Sequence, residues 1–323
     1  FFLLYLKKWA DHSAFFKSIY LPNFEINYIF ISNLVASAVT LVLMLSFYFK
    51  IQYRFDSPLF KKMMRYAMPV LIAGIAFSVN ETFDRILLDY LLPEDIAETK
   101  IGMYSACYKI AVFMTLFATA YRLGIEPYFF SHAKTENPQK NYALILEFFV
   151  AFGSVMLLTI VVFADVLKPY IVRSEAYWEA MWIVPLILIA NLCLGIYHNL
   201  SVWYKVTDRT KFGAYISVLG AIITLALNFW LIPIMEYRGS AIATLVAYAS
   251  MMVISYYYGQ KYYPIPYNLK KMSLYVLVSS AFSVISFYVY RENYVVGISL
   301  LLVFVLLVVM LEKNQIQQII KSK

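Results

Sequence analysis

Residues 66–91 read YAMPVLIAGIAFSVNETFDRILLDYL. The first fourteen are almost wholly apolar, and the stretch has the length of a helix that crosses a bilayer, for which about 20 predominantly apolar residues suffice. Asn80, Glu81, Asp84, Arg85 and Asp89 nevertheless lie within it. A charge at the centre of a bilayer costs at least about 2.5 kcal/mol on insertion scales, so such residues face a bundle interior, a water-filled cavity or one another. Glu81 and Arg85 stand i,i+4 with the acid first, the better orientation for a pair on one helix face. A Glu81–Arg85 side-chain pair with Asp84 beside it is therefore expected.

The same apolar pattern extends on both sides. The chain has 323 residues, 62% of them hydrophobic and 14% charged, with a mean hydropathy of +0.69. A soluble domain carries about 25% charged residues. Further apolar blocks of spanning length are Tyr28–Phe49, Ile101–Gly124, Tyr142–Ala164, Ala180–Leu200, Phe212–Pro233, Gly239–Tyr258, Met272–Tyr290 and Val295–Leu311. In lipid every backbone polar group must be satisfied within its own segment or in a closed barrel. The expected class is thus all-α, a polytopic membrane helical bundle with about nine full transmembrane helices.

Links between the blocks alternate in basic content. One set holds most of the 27 Lys and Arg, among them Lys50, Arg54, Lys61, Lys62 and Arg65, then Lys134 and Lys140, then Lys205, Arg209 and Lys211, then Lys261, Lys270 and Lys271. That side is cytoplasmic by the positive-inside bias, and the link with Pro93, Glu94, Asp95 and Glu98 faces outward. Lys7 and Lys8, in the first outer link, run against the bias. The net charge of +8 thereby reflects basic loops and no nucleic-acid partner. The opening Phe1-Phe2-Leu3-Leu4 has no charged n-region, so it is no signal peptide; it reads as the tail of a helix, and a piece of a longer protein is expected. Cys107 and Cys193 lie in apolar blocks, which supports neither a disulfide framework nor a metal site.

The expected domains are 1–49, the end of an N-terminal lobe; 50–65, a cytoplasmic amphipathic link with Pro58 and Leu59-Phe60…Met63-Met64; 66–258, a six-helix C-terminal lobe; and 259–323, a helix pair and tail. In this last pair, serines 279, 280, 283 and 286 are almost the whole of the intramembrane polarity. Gly213-Ser217-Ala221 and Gly239-Ala243-Ala247 allow close helix approach. Pro69 with Gly74 and Pro185 with Gly195 are candidate kinks.

Two charge groups are candidate sites. Arg85 lies about 9 Å and Lys109 about 12 Å below the outer ends of consecutive antiparallel helices, so both reach one layer. Two readings are open: an ion-pair lattice that welds the helices, or a cation-lined cavity for an anionic headgroup in which Glu81 and Asp84 hold the cations or exchange a proton. The second group, Arg122 and Glu126 with Glu147 on the following span, lies near the cytoplasmic face, where snorkelling explains it. His198 and His132 sit near cytoplasmic span ends. There is no H-E-x-x-H, P-loop, G-x-S-x-G or D-x-D. Neither an enzyme, a cofactor nor a metal is expected.

Met68-Pro69, Asn80-Glu-Thr-Phe-Asp84-Arg85 and Gly102-Met-Tyr-Ser-Ala-Cys-Tyr-Lys109 resemble the start of the second lobe of polysaccharide flippases. These are the Wzx-type transporters of lipid-linked oligosaccharides within the multidrug/oligosaccharidyl-lipid/polysaccharide exporter superfamily. Glu126-Pro127-Tyr-Phe-Phe, Ser201-Val-Trp-Tyr-Lys205 and Asn228-Phe-Trp-Leu-Ile-Pro233 with Gly239-Ser-Ala-Ile-Ala243 fit the same pattern. The resemblance implies two six-helix lobes plus a pair, of which this chain matches the last helix of the first lobe and everything after it. It implies multi-pass residence in a bacterial cytoplasmic (inner) membrane. The implied work is export of undecaprenyl-pyrophosphate-linked units for cell-surface polysaccharide such as O-antigen, by alternating access. Implied partners are the lipid-linked substrate, membrane lipid, a proton or sodium counter-ion and other glycan-assembly membrane proteins. Arg85 and Lys109 would be the cavity cations. The rival within the superfamily is a drug/cation antiporter, which wants an acid-dominated cavity; a membrane polymerase or glycosyltransferase would need a large catalytic outer loop.

Overall fold

The computed structural model describes Trp9 and residues 25–50, 54–131 and 137–321. It divides at Lys61–Lys62 into two compact units. In the first, α1 (Glu25–Tyr48) carries no charge after its first residue, and Leu34, Leu43 and Phe47 are open to its surroundings. A helix apolar all round belongs in a membrane or a large core.

Helix α2 (Ser57–Leu91) begins in this unit. Asp56 Oδ1 accepts the Leu59 N–H at 3.0 Å, a side-chain cap, and Pro58 lies in the first turn, where no N–H is needed. The separate amphipathic segment expected before Tyr66 is not present as such. Residues from Ser57 onward are the first turns of one 35-residue helix that runs through Pro69.

The second unit continues with α3 (Glu94–Ser131), α4 (Pro138–Val162), the short α5 (Ala164–Ile171), a 3-10 segment (Glu175–Ile183), α6 (Val184–Leu200), α7 (Val202–Val206), α8 (Lys211–Met235), α9 (Tyr237–Tyr262), α10 (Leu269–Val284) with a π turn (Ile285–Val289), and α11 (Tyr294–Lys321). Nine helices among the described residues are long and apolar enough to cross a membrane, one for each expected block.

The segment holding α6 is the most enclosed, and α6 packs on α3, α4 and α9. A Cβ on Gly195 would stand 2.4 Å from Phe149 Cζ, so this glycine lets α4 and α6 approach. Pro185 stands where the 3-10 segment gives way to α6, inside one continuous helical run, Glu175–Val206. Helices α8 and α9 form a hairpin turning at Glu236, φ 52°. A Cβ on Gly239 would meet the Leu231 carbonyl at 2.7 Å. At the opposite end of the hairpin Trp203, Phe212, Tyr258 and Tyr262 gather, with Arg209 4.8 Å from the Tyr262 ring centroid.

Helices α10 and α11 pack on α4. One tie lies outside the spans: Asp165 accepts from Lys168 Nζ at 2.8 Å and from Arg291 Nη2 and Nε at 3.1 and 3.2 Å, and Lys168 also reaches Glu292 at 3.3 Å. Burial raises the pKa of Asp165, but these hydrogen bonds outweigh it and leave the carboxyl below its ordinary 3.8. A depressed folded pKa gives stability that is present above the unfolded value and lost as pH falls through the folded one. Acid unfolding of the purified protein below about pH 4 is therefore expected to be partly insensitive to pH in Asp165→Asn; an unaltered acid limb would show that the tie carries no pH-dependent stability.

Candidate functional site

Helix α2 stands off from the bundle, its backbone nowhere closely packed along another helix. Leu87 and Leu88 enter the apolar core at one end. Phe77 packs on a second apolar cluster formed by α6, α8 and α9, and polar side chains make the remaining connections. Asn80 Oδ1 accepts from Thr224 of α8 at 2.6 Å. The Glu81 carboxylate accepts from Tyr248 of α9. Buried Asp84 accepts from Tyr104 of α3 at 2.6 Å and from the Arg85 N–H at 2.8 Å. Arg85 donates from Nε to Ser105 of α3 at 3.2 Å and from Nη1 to the Glu81 carbonyl at 2.8 Å. Its guanidinium carbon lies 5.0 and 5.7 Å from the ring centroids of Tyr108 and Tyr104, within cation–π range. The network continues from Asn228 Nδ2 to the Thr224 carbonyl and from Ser240 to Asn228 Oδ1, at 2.8 and 2.7 Å.

Several expected pairings are replaced. Glu81 and Arg85 do not pair through their side chains. Arg85 turns back to the Glu81 carbonyl and toward Asp84, at 3.5 Å, while the Glu81 carboxylate points to Tyr248. Asp89 is exposed. Lys109 stands one turn beyond Ser105 on α3, exposed, with no hydrogen bond or ion pair among the described residues.

Arg122, Glu126 and Glu147 do not form one group. Glu126 is taken by Lys205 of α7 at 2.5 Å. Glu147 is taken by Lys271 of α10 and by Gln315 of α11. Arg122 is left with a buried Nε that has no partner. It lines a cavity of about 160 Å³ with Glu81, Thr115, Thr119, Asn191 and His198. His132 lies outside the described residues. Among those residues no group of His, Cys, Asp and Glu could hold a metal ion.

One cluster escaped the sequence reading. Lys271 reaches both Glu147 and Glu312, the latter at 2.8 Å, and Tyr275 donates to Glu312 at 2.8 Å. Both carboxylates are buried. Glu312 falls one residue past the last apolar block and Lys271 one before the preceding block, so each resembled a loop charge. The i,i+4 spacing of Lys271 and Tyr275 was the available signal.

The family described as polysaccharide biosynthesis protein matches residues 13–132. No curated protein matches the chain. Among solved structures, the lipid II flippase MurJ in an inward closed conformation aligns with a TM-score of 0.66 at 14% identity, over 91% of this chain and 64% of its own. An outward-facing multidrug resistance transporter of the MATE family and MOP superfamily aligns at 0.51 and 20% identity, over 68% of this chain and 52% of its own. A MOP superfamily transporter from Pyrococcus furiosus, described by a binding pocket of reversed polarity, aligns at 0.50 and 17% identity, with the same coverages. The chain therefore spans less than two thirds of the length of these structures. The family match covers residues 13–132, and the likeness to these structures shows a shared fold.

Removing one partner of a buried ion pair costs about 3–5 kcal/mol, because the other charge is left uncompensated. Lys271→Met is expected to lower stability by about this amount in denaturant unfolding of the detergent-solubilised protein, and adding Glu312→Gln is expected to recover part of the loss. Equal stability of wild type and Lys271→Met would mean that the two carboxylates do not depend on this lysine.

Proposed function

We propose that the chain forms the second lobe and appended helix pair of a transporter that moves an undecaprenyl-pyrophosphate-linked oligosaccharide outward across a bacterial cytoplasmic membrane by alternating access. One observation carries the reading. Each acid in the candidate region holds a donor, Tyr248 for Glu81, Tyr104 for Asp84 and Lys205 for Glu126. The cations Lys109 and Arg122 have no counter-ion among the described residues. Such a surface has two cations left open to an anion, while Glu126 is already neutralised by Lys205 and Asp84 lies beside Arg85. The family description of residues 13–132 and the fold shared with a lipid II flippase support a lipid-linked saccharide as that anion.

The physics of transfer fits. The lipid tail stays in hydrocarbon while the charged headgroup needs a polar route. A membrane potential negative inside favours outward movement of each uncompensated negative charge by about 2.3 kcal/mol per 100 mV. Arg85, about a third exposed and held by Ser105 and two tyrosine rings, is the outer cationic station, with Lys109 beside it. Glu81 and Asp84 position Arg85 or exchange the coupling ion, a proton or sodium.

Arg85→Ala and Lys109→Ala are each expected to abolish export of surface glycan in cells that depend on this protein, at normal membrane levels of the variant. The readout is cell-surface polysaccharide together with an immunoblot of the membrane fraction. Unimpaired export in both variants would exclude the cation role.

A further inference from the structure

A polar track runs along one side of the second unit. On α3, Ser105 contacts Arg85 at one end, and Thr115, Thr119 and Arg122 follow at helical spacing. Along that helix Ser105 and Arg122 are about 25 Å apart at 1.5 Å per residue, against about 30 Å for a hydrocarbon core. The two guanidinium groups thus bracket the track near its ends. The cavity of about 160 Å³ lies between them, walled by α2, α3 and α6.

Its chemistry is directional. At one end the Glu81 carboxylate has one oxygen engaged by Tyr248; the other is free to accept from a hydroxyl and repels a negative group. At the other end stands Arg122, whose neighbour Glu126 is neutralised by Lys205. An uncompensated guanidinium in low dielectric favours an anion. Between them, Asn191 spends its Nδ2 on the Ala111 carbonyl and Thr115 Oγ1, which leaves its carbonyl oxygen to accept and the Thr115 O–H to donate. Thr119 adds a second hydroxyl, and the Phe77 ring, which also contacts His198 at 5.9 Å, offers an apolar face. The volume is below the roughly 300 Å³ at which drug-sized sites begin. It admits a single ring and not a whole oligosaccharide.

We propose that this cavity is a subsite for one sugar ring bearing a negatively charged substituent, a carboxylate or a phosphate, with the anion on Arg122, hydroxyls toward Glu81 and the ring against Phe77. The proposal rests on the transport reading and specifies the chemistry of the cargo. The titratable groups lining the cavity are Arg122 of α3, Glu81 of α2 and His198 of α6, with the Glu126–Lys205 pair next to Arg122 outside it.

The test is calorimetric binding to the full chain in detergent, with glucose, glucuronate, glucose 6-phosphate and inorganic phosphate as probes. At least one charged sugar is expected to bind about tenfold or more tightly than glucose, the gain of a charge-assisted hydrogen bond. The better of the two charged sugars identifies the substituent. Arg122→Gln is expected to remove the preference, Arg122→Lys to keep most of it, and Thr119→Val to weaken charged and neutral sugars alike. Thermal unfolding of each variant checks that it is folded. The proposal is overturned if no sugar binds, if glucose binds as tightly as both charged sugars, if inorganic phosphate binds as tightly as a preferred glucose 6-phosphate, or if the preference survives in folded Arg122→Gln and Arg122→Lys alike. Should export depend on Arg85 while the preference ignores Arg122, the subsite alone falls; export that persists undiminished in cells lacking the protein altogether removes the transport reading itself.

Discussion

A carboxylate or guanidinium cannot remain unpartnered in hydrocarbon, and in this chain that constraint joins α2 to its neighbours. The backbone of this helix stays clear of other helices, so side chains must bridge the gap. Thr224, Tyr248, Tyr104 and Ser105, from three different helices, meet Asn80, Glu81, Asp84 and Arg85 within about a turn and a half of helix. Membrane hydrogen bonds of this kind average about 0.6 kcal/mol in measured cycles. Their sum is modest beside the apolar core around α6, but they set the position of α2. Leu87 and Leu88 anchor one end of α2 in the apolar core, and the hydrogen bonds fix the rest of its face.

The same constraint works elsewhere to a different end. Lys271 between Glu147 and Glu312 joins the last two helices to α4 at one end, and Asp165 with Lys168 and Arg291 joins them at the other. These ties are closed, with every ion opposite its counter-ion. Along α3 the pattern differs: Lys109 and Arg122 are left open. The contrast between closed ties at the appended pair and open cations on the α2–α3–α6 side separates the architectural use of charge from a binding use within one molecule.

Helix positions were readable because hydropathy over 20 residues leaves little choice in a bilayer. Boundaries were less so. Ser57–Arg65 looked like an interfacial segment because its basic residues interrupt the apolar run, yet Asp56 caps the helix and Pro58 suits its first turn. Site partners were the least legible. The i,i+4 rule correctly brings Arg85 back to residue 81, but to its carbonyl, while the carboxylate points to Tyr248, 167 positions away. Likewise Glu126 prefers Lys205 to its helix neighbour Arg122. Local spacing names the charges worth attention; long-range packing assigns them their partners, and it is through such reassignment that Arg122 becomes free.

The central claim is that this polar face meets water and not lipid. The direct measurement is thiol accessibility in native membranes, with Cys107 and Cys193 replaced by Ala and a single cysteine placed at Thr119, or at Leu302 on the exposed side of α11. The account predicts that a charged, membrane-impermeant maleimide labels the cysteine at 119 and spares the one at 302. Labelling at 302 with none at 119 would contradict it.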